Sequence, residues 1–543
     1  MGLVKRPGAW LVAGAFTAYG APASAATLNV GPGQMFSKPC AAIAAAQAGD
    51  TIQVDASGNY AGDTCSWSTD NLTITGINGR AKIDLTGITP AEQKGIFTIE
   101  GTASATIENF ELSGAAISAA NGNNGAGIRH QGLNLTVRNC FIHDNQDGIL
   151  GAPATANTGT VLIENSEFSA NGAGDGFSHN MYIGDYATFT LEFSYSHNAK
   201  VGHLVKSRAY TTYVLYNRLT DEIGGMASYE TDIPNAGTAY LIGNIIEQSA
   251  TTQNPTIVSF GEEGVPTGYD THLFVVNDTI LNTLGSGTFV FDATMTAAAL
   301  TNNIFYNGGT ITNQASAVRT TNFDSSMGNP MFVDVASYNV NLLAGSPCID
   351  HGSSPGANGS QSLMPVFEYV HPLSEEARVV VGDAIDIGAY EYGNPADAGV
   401  PLEGASGPAD AAEGTEAGSP VEAGPSTEAS PDASSVQDAP TPNAAEEGGK
   451  PIAGGPSGSG GASSGCGCAL AGISRPEPWG LATSAMFIAG VIGRRQRRRC
   501  PSRTSETGIV PHETHAQTSV HAHRRNPVFC TNLTTQRANG RHD

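Results

Sequence analysis

Positive charge is what this chain has least of. Its 543 residues hold 26 Lys and Arg against 50 Asp and Glu, a net charge of −24 at pH 7. The shortage is concentrated in residues 27–392, where 12 basic residues face 35 acidic ones, a net of −23. Residues 451–543 reverse it, with 11 Arg and 4 acids. An acidic body excludes nucleic acid as the partner, because phosphate contacts need a basic surface. A polyanionic ligand would need a local basic patch or a bridging cation. Aromatic residues (7%) and charged residues (14%) are also sparse, whereas glycine is abundant at 67. The apolar runs are only four to six residues long, β-branched, and bounded by Gly and Asn. That mix excludes helical bundles and helical repeats and suits many short strands joined by turns.

The termini read differently from the body. Residues 1–25 have a charged start at Lys5 and Arg6, a short apolar run from Trp10 to Tyr19, and the small-residue site Ala23-Ser24-Ala25. This is the pattern of a secretory signal, and the run is too short to span a bilayer. Export to an oxidising compartment lets Cys40 and Cys65 be read as a disulfide. The two alternatives of buried free thiols there, and of a pairing between Cys140 and Cys348, stay open. From 394 to 464 the chain is Ala, Pro, Gly, Ser and acids, which reads as a disordered linker or stalk. In 465–500 a Gly-Cys-Gly-Cys pair precedes an apolar run, Trp479 to Gly493, and a cluster of five arginines. Such a cluster holds its end on the cytoplasmic side of a membrane. Residues 501–543 are a basic extension rich in His, Thr and Arg.

Between the termini, residues 26–393 repeat. Asn109, Asn139, Asn165, Asn217, Asn244, Asn277 and Asn303 each end a short apolar run, and Phe193 takes the equivalent place between Asn165 and Asn217. The spacings are 30, 26, 28, 24, 27, 33 and 26. Strand-like units at that period form a solenoid, since no unit can bury its apolar face alone. Stacked asparagines at the turns can pass hydrogen bonds from one coil to the next. A short Ala-rich helix from about Cys40 to Ala48 would cover the open end of the stack.

The unit LTVRNCFIHDNQDGIL resembles the right-handed parallel β-helix of the pectate-lyase superfamily. The opening GPGQ…AAIAAAQAGDTIQV is similar to that superfamily's first coil and helical cap. The ending SPCIDHGS…DIGAYEYG (346–393) resembles the closing segment of many bacterial β-helix proteins. The expected fold is therefore all-β, a parallel β-helix, and such a solenoid can stand as a monomer. The fold hosts lyases, hydrolases, epimerases and inert adhesins, so the resemblance implies architecture more than reaction. The tail resembles the sorting tail of many myxobacterial surface proteins. It implies processing at Cys466 or Cys468 and attachment to the membrane at the cell surface.

Ionisable residues are dense only in 179–232. Counting fourteen back from Phe193, Asn217, Asn244 and Asn277 gives His179, His203, Glu230 and Glu263. Equivalent positions in successive coils lie about 4.8 Å apart, so His179, His203 and Glu230 are expected in one column. Tyr182 and Lys206 stand beside it, and Arg208 shares the face of Lys206 by strand alternation. Asp232 neighbours Glu230 in the same way, and Asn180 and Asp232 are expected as substrate contacts. Clustered ionisable groups mark functional sites, against the plainer reading of a surface ion-pair network.

A long groove on a β-helix suits an extracellular polysaccharide. In β-elimination of a uronate polymer, a base takes the proton at C5, a cation neutralises the carboxylate, and an acid protonates the leaving oxygen. Lys206 is the expected base, Arg208 the neutralising cation, and His203 or Tyr182 the acid. The segment HLVKS is similar to the placement of the base in β-helix lyases of the alginate and chondroitin type. Those lyases carry an Arg in the next coil, where this chain has Tyr229 and Glu230. They often use calcium, for which Glu230, Asp232, Asp221 and Glu222 offer carboxylates, although no calcium-loop signature is present. A hydrolase would use Glu230 with Asp232, or Asp221 with Glu222, as its carboxylate pair. His179, His203 and Glu230 would also suit a zinc site. The remaining class is a non-catalytic adhesin or glycan-binding protein.

Overall fold

The computed structural model describes residues 24–395; the signal segment and everything from 396 onward lie outside them. Almost every strand is parallel to its neighbours. Sheet A has 12 strands, from Thr27–Val30 to Val318–Thr320. Sheet B has 10, from Cys65–Trp67 to Thr310–Thr312, and sheet C has 10, from Ala81–Asp84 to Phe323–Asp324. The chain visits B, A and C in turn and pairs each strand with the one a coil earlier. This is a parallel β-helix. Between coils the partners of one position stack apolar residue on apolar residue: Ile107, Val137, Ile163, Leu191, Val214, Leu241 and Val275 form one inward column of sheet A. All are buried, and each contributes roughly 1.5–3 kcal/mol relative to exposure.

The corner between sheets A and C explains the asparagine period, and it divides those residues into two adjacent positions. Asn109, Asn139, Asn165, Phe193, Tyr216, Gly243 and Asn277 take left-handed backbone, with φ between 47° and 70°. Asparagine tolerates this conformation better than other non-glycine residues. The residue after each one builds the ladder. The backbone N–H of Ser194 donates to Asn217 Oδ1 (2.9 Å), that of Asn217 to Asn244 Oδ1 (2.9 Å), and that of Asn244 to Asp278 Oδ1 (2.6 Å). Asp278 donates in turn to Asn303 Oδ1 at 2.9 Å. Burial pushes the Asp278 carboxyl up to about 8. Asn145, Asn171 and Asn180 form a second internal ladder at the corner between C and B, with N–H to Oδ1 distances of 3.0 and 3.2 Å.

A helix spans Pro39–Ala45 and buries Ala42 and Ile43 in the core. Cys40 and Cys65 are joined as a disulfide. Cys140 and Cys348 are both buried and free. After the last coil, residues 325–395 run back along the A–C corner. Asn165 Nδ2 donates to Leu373 O (3.0 Å), Val366 N to Tyr216 Oη (3.0 Å) and Asn277 Nδ2 to Asp386 O (2.8 Å). Arg378 pins this segment internally; its side chain and its partners Glu368 and Glu391 are fully buried. Among the described residues no helix is long and apolar enough to cross a membrane. Asn394, read as the first linker residue, is buried and its Nδ2 donates to Glu368 at 3.0 Å, while the linker from 396 onward, Cys466, Cys468 and the apolar run lie outside the described residues.

Candidate functional site

Strands of sheet B begin at a corner where two consecutive side chains point inward. In Tyr229–Ile233 the outward residues are Tyr229 and Asp232, while Glu230 and Thr231 face the core. The pairing sets Tyr182 against Lys206, Lys206 against Asp232, and Asp232 against Ser259. These four outward residues form the column at the centre of the cluster.

The cluster is tightly joined. Lys206 Nζ lies 3.0 Å from Asp232 Oδ2 and 3.2 Å from Glu263 Oε1. His203 Nε2 is 3.4 Å from the same Asp232 oxygen. Arg208 Nη2 contacts Glu263 Oε2 at 2.6 Å, its Nε donates to Tyr182 Oη at 2.7 Å, and its Nη1 donates to Asn235. The Tyr182 ring lies under both cations, 5.9 Å from Lys206 Nζ and 5.6 Å from the Arg208 guanidinium. His179 and His203 stack with centroids 4.3 Å apart, and the N–H of His203 donates to His179 Nδ1 at 3.0 Å. Burial, with Lys206 and Arg208 nearby, pushes His179 down to about 3. Burial and the adjacent His179 hold His203 well below its ordinary value, so both imidazoles are neutral at pH 7. Burial raises Asp232 despite the attraction of Lys206. Tyr229 stands edge-on to His203 at 4.9 Å and donates to Glu262 at 3.1 Å.

His179, His203, Tyr182, Lys206, Arg208 and Asp232 therefore lie together on one face. Glu230 does not join them. Tyr229 pairs with His203, and Glu230 falls in the inward column between Leu204 and Ile257. It is 0 % exposed, and among the other described residues neither carboxylate oxygen has a hydrogen-bond partner. Burial, together with Asp221 and Glu247, raises it well above the usual carboxylate range. The cause is a turn length. Leu215 pairs with Ile242, a step of 27, whereas Lys206 pairs with Asp232, a step of 26. The turn from sheet B to sheet A is one residue longer in this coil, and a one-residue slip flips a side chain to the other face. Counting from Phe193 to Asn217 gave the correct step of 24 between His179 and His203 because two one-residue differences cancelled: sheet A advances by 23 there.

Asn180 is also internal. It is 0 % exposed and its amide bonds Asn171, Ser196 and His197 O, so it is a scaffold residue and not a substrate contact. The carboxylate pairs expected of a hydrolase are split the same way. Glu230 and Asp232 face opposite sides of the sheet. Asp221 is buried against the N–H of Ala227 (2.9 Å), while Glu222 reaches out to Arg218 (2.7 Å). The donors expected for calcium or zinc do not converge either. Among the described residues no three His, Cys, Asp or Glu side chains are grouped to hold a metal. Asn235, Glu262 and Glu263 complete the cluster from loops after the strands; Glu263 appeared in the fourteen-residue count, but nothing local marks the other two.

No family model matches the chain, and no curated protein matches it. Among solved structures, one described as "Crystal structure of pectate lyase Pel9A" is similar, with a TM-score of 0.46 and 15% identity over 68% of this chain and 97% of that one.

Proposed function

We propose that this is an exported cell-surface protein that binds a uronate-containing extracellular polysaccharide on the outer face of sheet B. The observation that carries the reading is that Lys206 and Arg208 together hold one carboxylate, that of Glu263, at 3.2 and 2.6 Å. A sugar carboxylate presents the same two oxygens to the same two cations, and a guanidinium and an ammonium placed side by side suit that group. Both cations are paired in the free protein, Lys206 with Asp232 and Glu263 and Arg208 with Glu263, so a sugar carboxylate would use them by displacing the half-exposed Glu263. Export rests on residues 1–25, and surface attachment on the Cys motif and arginine cluster of 465–500.

A second reading adds chemistry to the same face, and Tyr182 favours it. Its phenol oxygen lies 2.7 Å from Arg208 Nε, beside the place where the carboxylate would sit. In this reading the neutral His203 imidazole on the same face takes the C5 proton, the C4–C5 double bond forms as the C4–O4 bond breaks, and the Tyr182 phenol gives its proton to the leaving O4. Lys206, held between Asp232 and Glu263, here serves as a cation for the carboxylate instead of the base expected from the sequence.

The test is titration of the full chain with a panel of polyuronates and glycosaminoglycans, following heat of binding and the absorbance of the unsaturated product. Binding that Lys206→Ala removes supports the reading; no binding to any polyuronate ends it. Absorbance that grows with time, and is lost in Tyr182→Phe, establishes elimination. Binding without absorbance leaves a glycan-binding protein.

A further inference from the structure

A well-formed cavity lies away from sheet B. It measures about 600 Å³ and opens between the outer face of sheet C and the returning C-terminal segment. Its floor is Arg218, whose guanidinium is sandwiched between two tyrosine rings, Tyr195 at 4.8 Å and Tyr338 at 4.6 Å. Tyr195 and Arg218 are register partners in adjacent coils, whereas Tyr338 comes from the returning segment. Tyr369, Tyr392, Asn341 and His371 also line the space. Tyr369 Oη and Arg218 Nη1 both approach His371 Nδ1, at 3.2 and 3.4 Å, which leaves Nε2 as the outer nitrogen. A second cavity of about 480 Å³ also has Tyr338 in its lining, together with Glu247, Thr251 and Thr283.

Three properties narrow the occupant. The lining brings tyrosine rings together with amide, hydroxyl and imidazole groups, which suits a ring with one apolar face and equatorial hydroxyls. Two cavities that share one tyrosine in their linings suit a ligand of more than one such unit better than a single ring. The cations at the site are already answered: Arg218 by Glu222 at 2.7 Å, and Arg378 behind the wall by Glu391 at 3.1 Å. Glu376 adds a further carboxylate to the lining. With no surplus positive charge, an anionic sugar would meet repulsion here.

We infer that the cleft between sheet C and the returning segment, centred on Tyr338 and Arg218, is a second carbohydrate site that takes an uncharged oligosaccharide. It differs in ligand charge from the sheet B face, so the two readings fail separately. Full-length protein is titrated calorimetrically with short cello-, xylo-, manno- and malto-oligosaccharides, and in parallel with oligouronates. The expected result is saturable binding of at least one uncharged series, weakened about tenfold or more by Tyr338→Ala and unchanged in Lys206→Ala. Tyr392→Ala, at the exposed rim, is the companion variant if Tyr338→Ala does not fold, and should weaken the same series by a smaller factor. The inference is overturned if no uncharged series binds, if only oligouronates bind, or if both tyrosine variants fold and retain full affinity.

Discussion

Two columns of side chains run side by side along sheet B, two positions apart in each strand. The outward column holds Tyr182, Lys206, Asp232 and Ser259; the inward one holds Asn180, Leu204, Glu230 and Ile257. Each contains a buried acid, and the two acids are separated by one residue. Asp232 has two nitrogens within 3.4 Å, whereas the carboxylate oxygens of Glu230 find no hydrogen-bond partner on any other described residue. Both carboxyls are raised above their ordinary range, and burial is the main cause in each. The difference lies in what each carboxyl can do with its charge. The outward acid organises two cationic or imidazole neighbours at a face that solvent reaches. The inward acid is a cost to the fold, and with Asp221 and Glu247 nearby its ionisation is opposed a second time.

The sharpest way to break this comparison is to remove each acid in turn. Asp232→Ala leaves Lys206, itself 7 % exposed, without its inner partner. Stripping one member of a buried ion pair typically costs 3–5 kcal/mol, so urea denaturation should show a loss of about 3 kcal/mol or more; a loss below about 1 kcal/mol would mean that Asp232 is no more than a surface charge. Glu230→Leu should act in the opposite direction. Leucine fits between Leu204 and Ile257 and removes an unsatisfied group, so a gain of about 1–3 kcal/mol is expected at pH 7. The folded carboxyl titrates above its unfolded value. Wild-type stability is therefore greatest with Glu230 protonated and falls as pH rises above about 4.3, where the unfolded chain ionises first. The advantage of the leucine variant should grow from pH 4 to pH 7 in parallel denaturation curves, and a constant or shrinking advantage would contradict the interior placement.

The same two columns show what could be read beforehand. The architecture was legible because it is written many times over: short β-branched runs, a period near 27, and an asparagine at each corner. The crowding of His179, Tyr182, His203, Lys206, Arg208 and Asp232 was legible because ionisable groups are rare elsewhere in the chain. The side that each residue faces was not, because it depends on turn lengths that change by one residue between coils and carry no periodic signal. Asn109 and Asn217 look alike in sequence, yet one supplies a left-handed corner and the other a rung of the ladder. The cleft on sheet C was out of reach for a different reason. Tyr195 and Arg218 are 23 residues apart, and Tyr338 and His371 return to them from more than a hundred residues later, so no stretch of sequence holds the group together.

The smallest stability effect in the cluster should belong to Glu263, and its effect on binding tests the proposed function most directly. Its side chain is 48% exposed, and exposed ion pairs contribute about 0–1 kcal/mol. Partial burial would raise its carboxyl, yet Arg208 and Lys206 bring it below the usual range, so it occupies the cation pair throughout the neutral region. If that carboxylate stands where a sugar carboxylate must go, every binding event first displaces it. Glu263→Gln keeps the shape and removes the competing charge. Its denaturation midpoint should stay within about 1 kcal/mol of wild type, while oligouronate affinity rises several-fold, a tenfold gain corresponding to about 1.4 kcal/mol. The gain should fade at high salt, where the pair is screened in both proteins. Unchanged or weaker affinity would show that Glu263 helps to build the site instead of holding its place, and the carboxylate reading of Lys206 and Arg208 would lose its main support.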